Sequence, residues 1–181
     1  MIMQEEIEIL RNFKKKHPWS GDYYQKKKKF KKFLKQLCEL HQVEVPKLLV
    51  PQKKFKWTKN RHGDCIYKLK KIRIRNFSIL TLLHEFRHWT DLCQFPELRS
   101  RKKKKEVEWR ANYYSNRLFY TVWPERIKIF KRLVDNNDLI KNSAKLKRLR
   151  KAYKNDTSLK SSVRAGMCAL IDVLFERRIK C

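Results

Sequence analysis

The sequence predicts an α+β fold, mostly helical, in which a small, mostly antiparallel sheet precedes a histidine-bearing helix and a second helix able to bring a carboxylate to it. Three observations lead there. Glycine and proline number only 3 and 5 in 181 residues, which favours long helices joined by short turns. Apolar residues recur at helical spacing through residues 22–42, 78–94 and 106–122. Between the first two of these stretches lie short apolar runs broken by turn residues, the pattern of strands. A hydrophobic content of 41% is enough for one real core, and the length fits one domain, 1–181.

Residues 3–13 read as a short amphipathic helix with Ile7, Ile9, Leu10 and Phe13 on its apolar side. Pro18-Trp19-Ser20-Gly21 breaks it. Asp22 is the expected N-cap of a long helix to about Gln42, with Phe30, Phe33, Leu34, Leu37 and Cys38 inward and the lysines outward. Strands are expected at 45–50, 55–58, 65–69 and 72–75. Ser78 can cap the next helix, 78–94, and Phe77 can staple onto Leu82. A loop around Pro96 and the basic run 99–105 lead to a helix that opens near Glu106 and ends at Trp123-Pro124. Two or three further helices fill 125–181, with apolar stripes at 126–134 and 162–179 and a basic stretch at 146–153. The chain so divides into N-terminal helices (1–45), a core that carries the chemistry (47–122) and a C-terminal helical extension (125–181).

The chemistry rests first on His84-Glu85-Phe86-Arg87-His88, an H-E-x-x-H sequence. Chance supplies such a match in on the order of one comparable chain in a hundred. Ile79, Leu82, Leu83, Phe86 and Cys93 fall at helical spacing, so the motif lies on a helix with a buried stripe, and both histidines lie off that stripe. Positions i and i+4 share a helix face, so both imidazoles can reach one metal ion. Glu85 projects beside them as a general base for a water activated by the metal.

A catalytic zinc needs three protein ligands and an open position. The other histidines, His17, His41 and His62, all precede the motif, so a downstream carboxylate is the natural third ligand. Val107, Ala111, Tyr114 and Leu118 form a helix stripe, and Glu108 and Asn112 sit one turn apart on a common face. Glu108 is preferred as ligand, with Asn112 hydrogen-bonding a ligand from behind. Glu106 directly follows the lysine run, where it offsets those charges or the helix dipole.

With these residues in view, Thr81 to His88 followed by Glu108-Trp109-Arg110-Ala111-Asn112-Tyr113-Tyr114 resembles the gluzincin metallopeptidases, and most of all the small ImmA/IrrE-type and minigluzincin domains. The family's second motif reads E-x-x-A-N-x-F-A-x-x-L. Glu108, Ala111, Asn112 and Leu118 stand in register, with Tyr114 and Ser115 where Phe and Ala are usual. Gly63-Asp64-Cys65-Ile66-Tyr67 and Ile72-Arg73-Ile74 fit the short strands that precede the helix in such domains. The resemblance spans residues 47–122 and implies one catalytic Zn2+ on His84, His88 and Glu108, Glu85 as general base, and a protein or peptide substrate such as an intracellular repressor. SprT-like proteases share the first motif but use a downstream His, which this chain lacks after His88. Tyr67, Tyr113, Tyr114 and Tyr120 are candidate hydrogen-bond donors to the transition state. A strand edge at 65–67 can hold an extended peptide.

Charge is the second signal. Lysine and arginine number 47 against 18 acids, a net charge of +29. That meets the first condition for a nucleic-acid partner, with Lys102, Lys103, Lys104 and Lys105 as candidate contacts. There is no zinc knuckle or RNP-like motif. A solvated, self-repelling surface accounts for the same charge, and such a surface also attracts acidic protein substrates. The alternative to a peptidase is therefore a basic nucleic-acid-binding protein whose metal site is structural or vestigial. The five cysteines, Cys38, Cys65, Cys93, Cys168 and Cys181, are scattered, odd in number and form no C-x-x-C, as expected of reduced thiols inside a cell. Cys65 is expected to pack in the core, with ligation of the metal as a lesser alternative. No stretch is long and apolar enough for a membrane span, and Glu5, Glu6 and Glu8 make the start unlike a signal peptide, so neither a membrane partner nor secretion is expected.

Overall fold

Short polar caps start the helices where the apolar stripes begin. Asp22 accepts from Gln25 N at 2.8 Å and Gln25 Oε1 accepts from Asp22 N at 3.3 Å, a capping box. Gly21, at φ +91°, makes the turn before it. Ser78 accepts from Thr81 N at 3.2 Å. Lys14 Nζ donates to the Val122 carbonyl at 2.8 Å, closing a C-terminus far away in sequence.

The computed structural model describes residues 2–51, 62–99, 103–126 and 143–179. Among them the order is α1 (Gln4–Lys15), α2 (Tyr23–Leu40), β1 (Lys47–Leu49), β2 (Gly63–Ile66), β3 (Lys71–Ile74), α3 (Ile79–Gln94), α4 (Lys104–Val122), α5 (Ser143–Asn155) and α6 (Ser161–Ile179). The result is the expected α+β class, mostly helical around a small three-stranded sheet. The expected strand at 55–58 and, apart from Arg126, the stripe at 126–134 lie outside the described residues.

The sheet order is β1-β3-β2. β2 and β3 form an antiparallel pair across the short helical turn Tyr67–Leu69, whereas β1 lies parallel to β3. The sheet is therefore mixed rather than mostly antiparallel. β1 and β3 run the same way because β2 is interposed in sequence but lies on the far side of β3. Leu48, Ile72 and Ile74 enter the core, while Arg73 pairs across the ladder with Asp64. The chain after Ile66 turns as a 3₁₀ segment, so the strand expected through Leu69 ends early.

One cluster of buried side chains joins these layers. It takes Leu10 and Phe13 from α1, Phe30, Phe33, Leu34 and Leu37 from α2, the sheet residues, Ile79, Leu82, Leu83, Phe86 and Trp89 from α3, and Tyr114, Leu118 and Val122 from α4. The N-terminal helices thus share the core of the following segment. Phe13 stacks on Phe33 at 4.4 Å, and Phe77 meets Tyr23 and Phe30 edge to face, anchoring the start of α3 on α2. Trp19 and Trp89 donate their indole N–H groups to the Phe77 and Glu44 carbonyls at 2.9 and 2.7 Å. On the opposite side of α4, Asp172 of α6 accepts from Tyr113 and from Arg150 of α5.

A buried acid ties α1 to α4. Glu6 is fully buried and accepts from Tyr114 Oη at 2.7 Å and Met3 N at 2.7 Å, with His41 Nε2 also 2.7 Å away. Burial opposes its ionisation, but these hydrogen bonds outweigh it and hold the carboxyl below its usual range. A depressed folded pKa means that the stabilisation is complete above the unfolded carboxylate pKa and is lost as pH falls through the folded value. Glu6→Gln is expected to cost roughly 2 kcal/mol at neutral pH and to flatten the acid limb of stability, as urea melts at pH 7 and pH 3.5 will measure.

Candidate metal centre

α3 is amphipathic in the way the motif needs. Ile79, Leu82, Leu83, Phe86 and Trp89 are buried, so His84 and His88 turn to the other side, half-buried at a cleft wall. Their Nε2 atoms are 3.0 Å apart. α4 buries Val107, Ala111, Tyr114 and Leu118 and so presents Glu108 to that wall. Glu108 Oε2 lies 3.5 Å from His84 Nε2, and its Oε1 lies 3.6 Å from His88 Nε2. Among the described residues, this trio is the group of His, Cys, Asp and Glu able to share one ion.

The spacing suits a tetrahedral divalent ion. Ligand atoms 2.0–2.1 Å from zinc at tetrahedral angles lie about 3.4 Å from each other. The donor chemistry agrees, because two imidazoles and one carboxylate leave a coordination position open. The Glu108 carboxyl is held well below its usual range by hydrogen bonding to His84 and His88, with burial working against it. It therefore reaches the site as an anion.

One ion pair crosses from α4 to α3, and a second within α3 shares its carboxylate. Asp91, fully buried on α3, accepts from Arg87 at 2.8 Å and from Arg110 of α4 at 3.0 Å. The Arg87 guanidinium also lies over the Tyr114 ring, 5.4 Å from its centre. These contacts hold Glu108, one turn before Ala111, at the two imidazoles.

Glu85 is buried, 6% exposed, and faces β2. A Cβ on Gly63 would lie 2.9 Å from Glu85 Oε1, 2.7 Å from Thr81 Cγ2 and 3.0 Å from the Arg73 carbonyl oxygen. Gly63 thus lets the strand approach the carboxylate closely. A cleft of about 750 Å³ opens over the trio, lined by β2, α3, α4 and the start of α6. Volumes of this order accept small ligands or a short peptide stretch.

Several expected site residues stand elsewhere. Tyr113 donates to Asp172, Tyr114 donates to Glu6, and Tyr120 packs near Phe119; none of the three lines the cleft, nor does Tyr67, which lies against Trp89. The reason is angular. At about 100° per residue these α4 tyrosines fall at least 120° from Glu108 around the helix. Asn112 and Ser115 fall within about 40° of Glu108 and do line the cleft. Asn112 reaches Glu108 through that residue's main-chain carbonyl, donating from Nδ2 at 2.7 Å, so the bond found differs from the expected support of a ligating side chain. His62, Asn116 and Ser162 also line the cleft without being expected there, as does Lys104, which the sequence offers only as a nucleic-acid contact; a helical wheel centred on Glu108 flags Asn116. Of the lysine run, Lys103, Lys104 and Lys105 are exposed at the start of α4, and Lys102 lies outside the described residues. Cys65 borders the cleft and packs on the core. Burial, then the nearby Glu85, pushes its thiol up to about 12, and it does not belong to the trio whose ligand atoms can share one ion.

No protein-family model, no curated protein and no solved structure matches this chain. The family resemblance accordingly rests on the two motifs and on the site built from them.

Two outcomes follow from this geometry. Glu108→Ala should weaken binding of one zinc ion at least about tenfold while leaving the fold intact, as titration against a chelator will report. Gly63→Ala should cost about 1–3 kcal/mol in thermal or urea unfolding, because the new methyl group meets Thr81 and the Arg73 backbone.

Proposed function

We propose that this chain is a gluzincin-type zinc metallopeptidase, an endopeptidase acting on protein or peptide substrates inside the cell. The observation that carries the reading is the convergence of His84, His88 and Glu108 beside a buried Glu85 at the floor of an open cleft. A structural zinc site is closed by four protein ligands, whereas this trio faces open space. That favours catalysis over a structural or vestigial metal.

Zinc held there supplies a Lewis acid that polarises a scissile carbonyl and acidifies water. The protein's residues do the rest. Glu85 takes a proton from water as it attacks and passes it to the leaving nitrogen. Its carboxylate is positioned for this by Gly63 and the flanking strand. Among the described residues β2 pairs with β3 alone, and its other edge suits an extended peptide added as a further strand. With the tyrosines turned away, His62, Lys104, Asn112, Asn116 and Ser162, all lining the cleft, are candidates to steady the developing oxyanion. A reducing compartment fits Cys38, Cys65, Cys93 and Cys168, none of which is in a disulfide among the described residues. Among the described residues no helix is long and apolar enough to cross a membrane.

Glu85→Gln tests the mechanism. It keeps the size of the side chain and removes the base. The variant should bind zinc as the parent does and lose peptide cleavage by roughly 10²–10⁴-fold. Undiminished cleavage in a zinc-loaded variant would refute the role of Glu85.

A further inference from the structure

The outer face of α2 carries a surface that the peptidase reading does not use. Its inner face is filled by Phe30, Phe33, Leu34, Leu37 and Cys38. Outside, Tyr24, Lys28, Lys31, Lys32 and Lys35 are exposed. At about 100° and 1.5 Å per residue they fall within one stripe that runs some 16 Å along the helix. Tyr24 is 70% exposed, the highest value among the large apolar and aromatic side chains of the described residues.

The lysines of this helix have divided roles. Lys27 lies over the Tyr23 ring, and Lys29 donates to the His17 and Ser20 carbonyls, so both serve the fold. Among the described residues, no acid pairs with Lys28, Lys31 or Lys32, and Lys35 has only a solvent-exposed contact with Glu39 at 3.6 Å. The four cations advance along the axis by about 4.5, 1.5 and 4.5 Å, so they form a basic track about 10.5 Å long that can lie along a linear polyanion. None of the five stripe residues lines the cleft.

We propose that this face of α2 binds single-stranded nucleic acid, the lysines meeting phosphates and Tyr24 stacking on a base. An exposed ring beside a basic track is the arrangement that holds unpaired bases, since every base offers a flat apolar face. An anionic membrane fits less well. A membrane-surface helix inserts its apolar side, and here that side is committed to the core. The surface is independent of the metal site, so it stands or falls separately from the peptidase reading.

The test uses the full chain and labelled 12-nucleotide single strands of RNA and of DNA, a 12-base-pair duplex, and vesicles containing phosphatidylserine. Four phosphate contacts predict binding about 50-fold weaker at 200 mM than at 50 mM salt. Replacing Lys28, Lys31, Lys32 and Lys35 by Gln should remove most of that salt dependence. Replacing Arg148, Lys151, Lys154 and Lys160 by Gln, an equal loss of charge elsewhere, should change affinity by less than about threefold. Tyr24→Ala, at a site too exposed to matter for folding, should weaken single-strand binding at least about fivefold. Zinc content should be unchanged in every variant, which separates this outcome from any failure of the metal site. Binding to one or both single strands with these variant effects supports the proposal, and the two arms say which sugar is preferred. Equal weakening by the control set, tighter binding to duplex, no effect of Tyr24→Ala, or binding to vesicles alone would overturn it.

Discussion

The close packing of α4 against α3 is the constraint on which the site depends. Two histidines one turn apart are easily arranged on any helix. The third donor has to come from another element at a fixed distance. Here Asp91 draws Arg87 of its own helix and Arg110 of α4 to one buried oxygen. The second carboxylate oxygen of Asp91 is buried with no hydrogen-bond partner among the described residues. A buried ion network with an unsatisfied lone pair is a weak source of stability. Its effect is to fix geometry, and the geometry it fixes is that of Glu108.

The remaining layers brace that helix pair. From one side, α1 reaches Tyr114 through Glu6, and Lys14 closes the end of α4. From the other, α6 holds Tyr113 and Arg117 through Asp172 and Glu176. The sheet adds the third wall. β3 anchors it in the core through Ile72 and Ile74, and β2 brings Gly63 to Glu85. The elements far from the cleft in sequence thus matter to it mainly by holding α4 and β2 in place.

Much of this was legible in the residues because local chemistry decides it. The Asp22 and Ser78 caps, the stripes of α2, α3 and α4, and the stop at Trp123-Pro124 all depend on neighbours within a turn or two. The trio was legible because i,i+4 spacing and the absence of a later histidine left few choices. What failed depended on tertiary direction. The parallel pairing of β1 reflects where the chain between β1 and β2 crosses, which no local pattern encodes. The tyrosines of α4 are candidates by type and proximity in sequence, yet their angular positions turn them from the cleft, Tyr114 toward α1 and Tyr113 toward α6. Lys104 and Ser162 meet at the cleft only because α6 folds back onto α4.

The high positive charge remains outside the account of the metal site, since among the described lysines Lys104 alone lines its cleft. The central claim concerns three atoms, His84 Nε2, His88 Nε2 and a Glu108 carboxylate oxygen. Diffraction from zinc-loaded crystals on the two sides of the zinc absorption edge tests it most directly. The account predicts one strong anomalous peak about 2.0–2.2 Å from all three groups. A peak at Cys65 or elsewhere, or no peak between the two helices at full zinc loading, would contradict it.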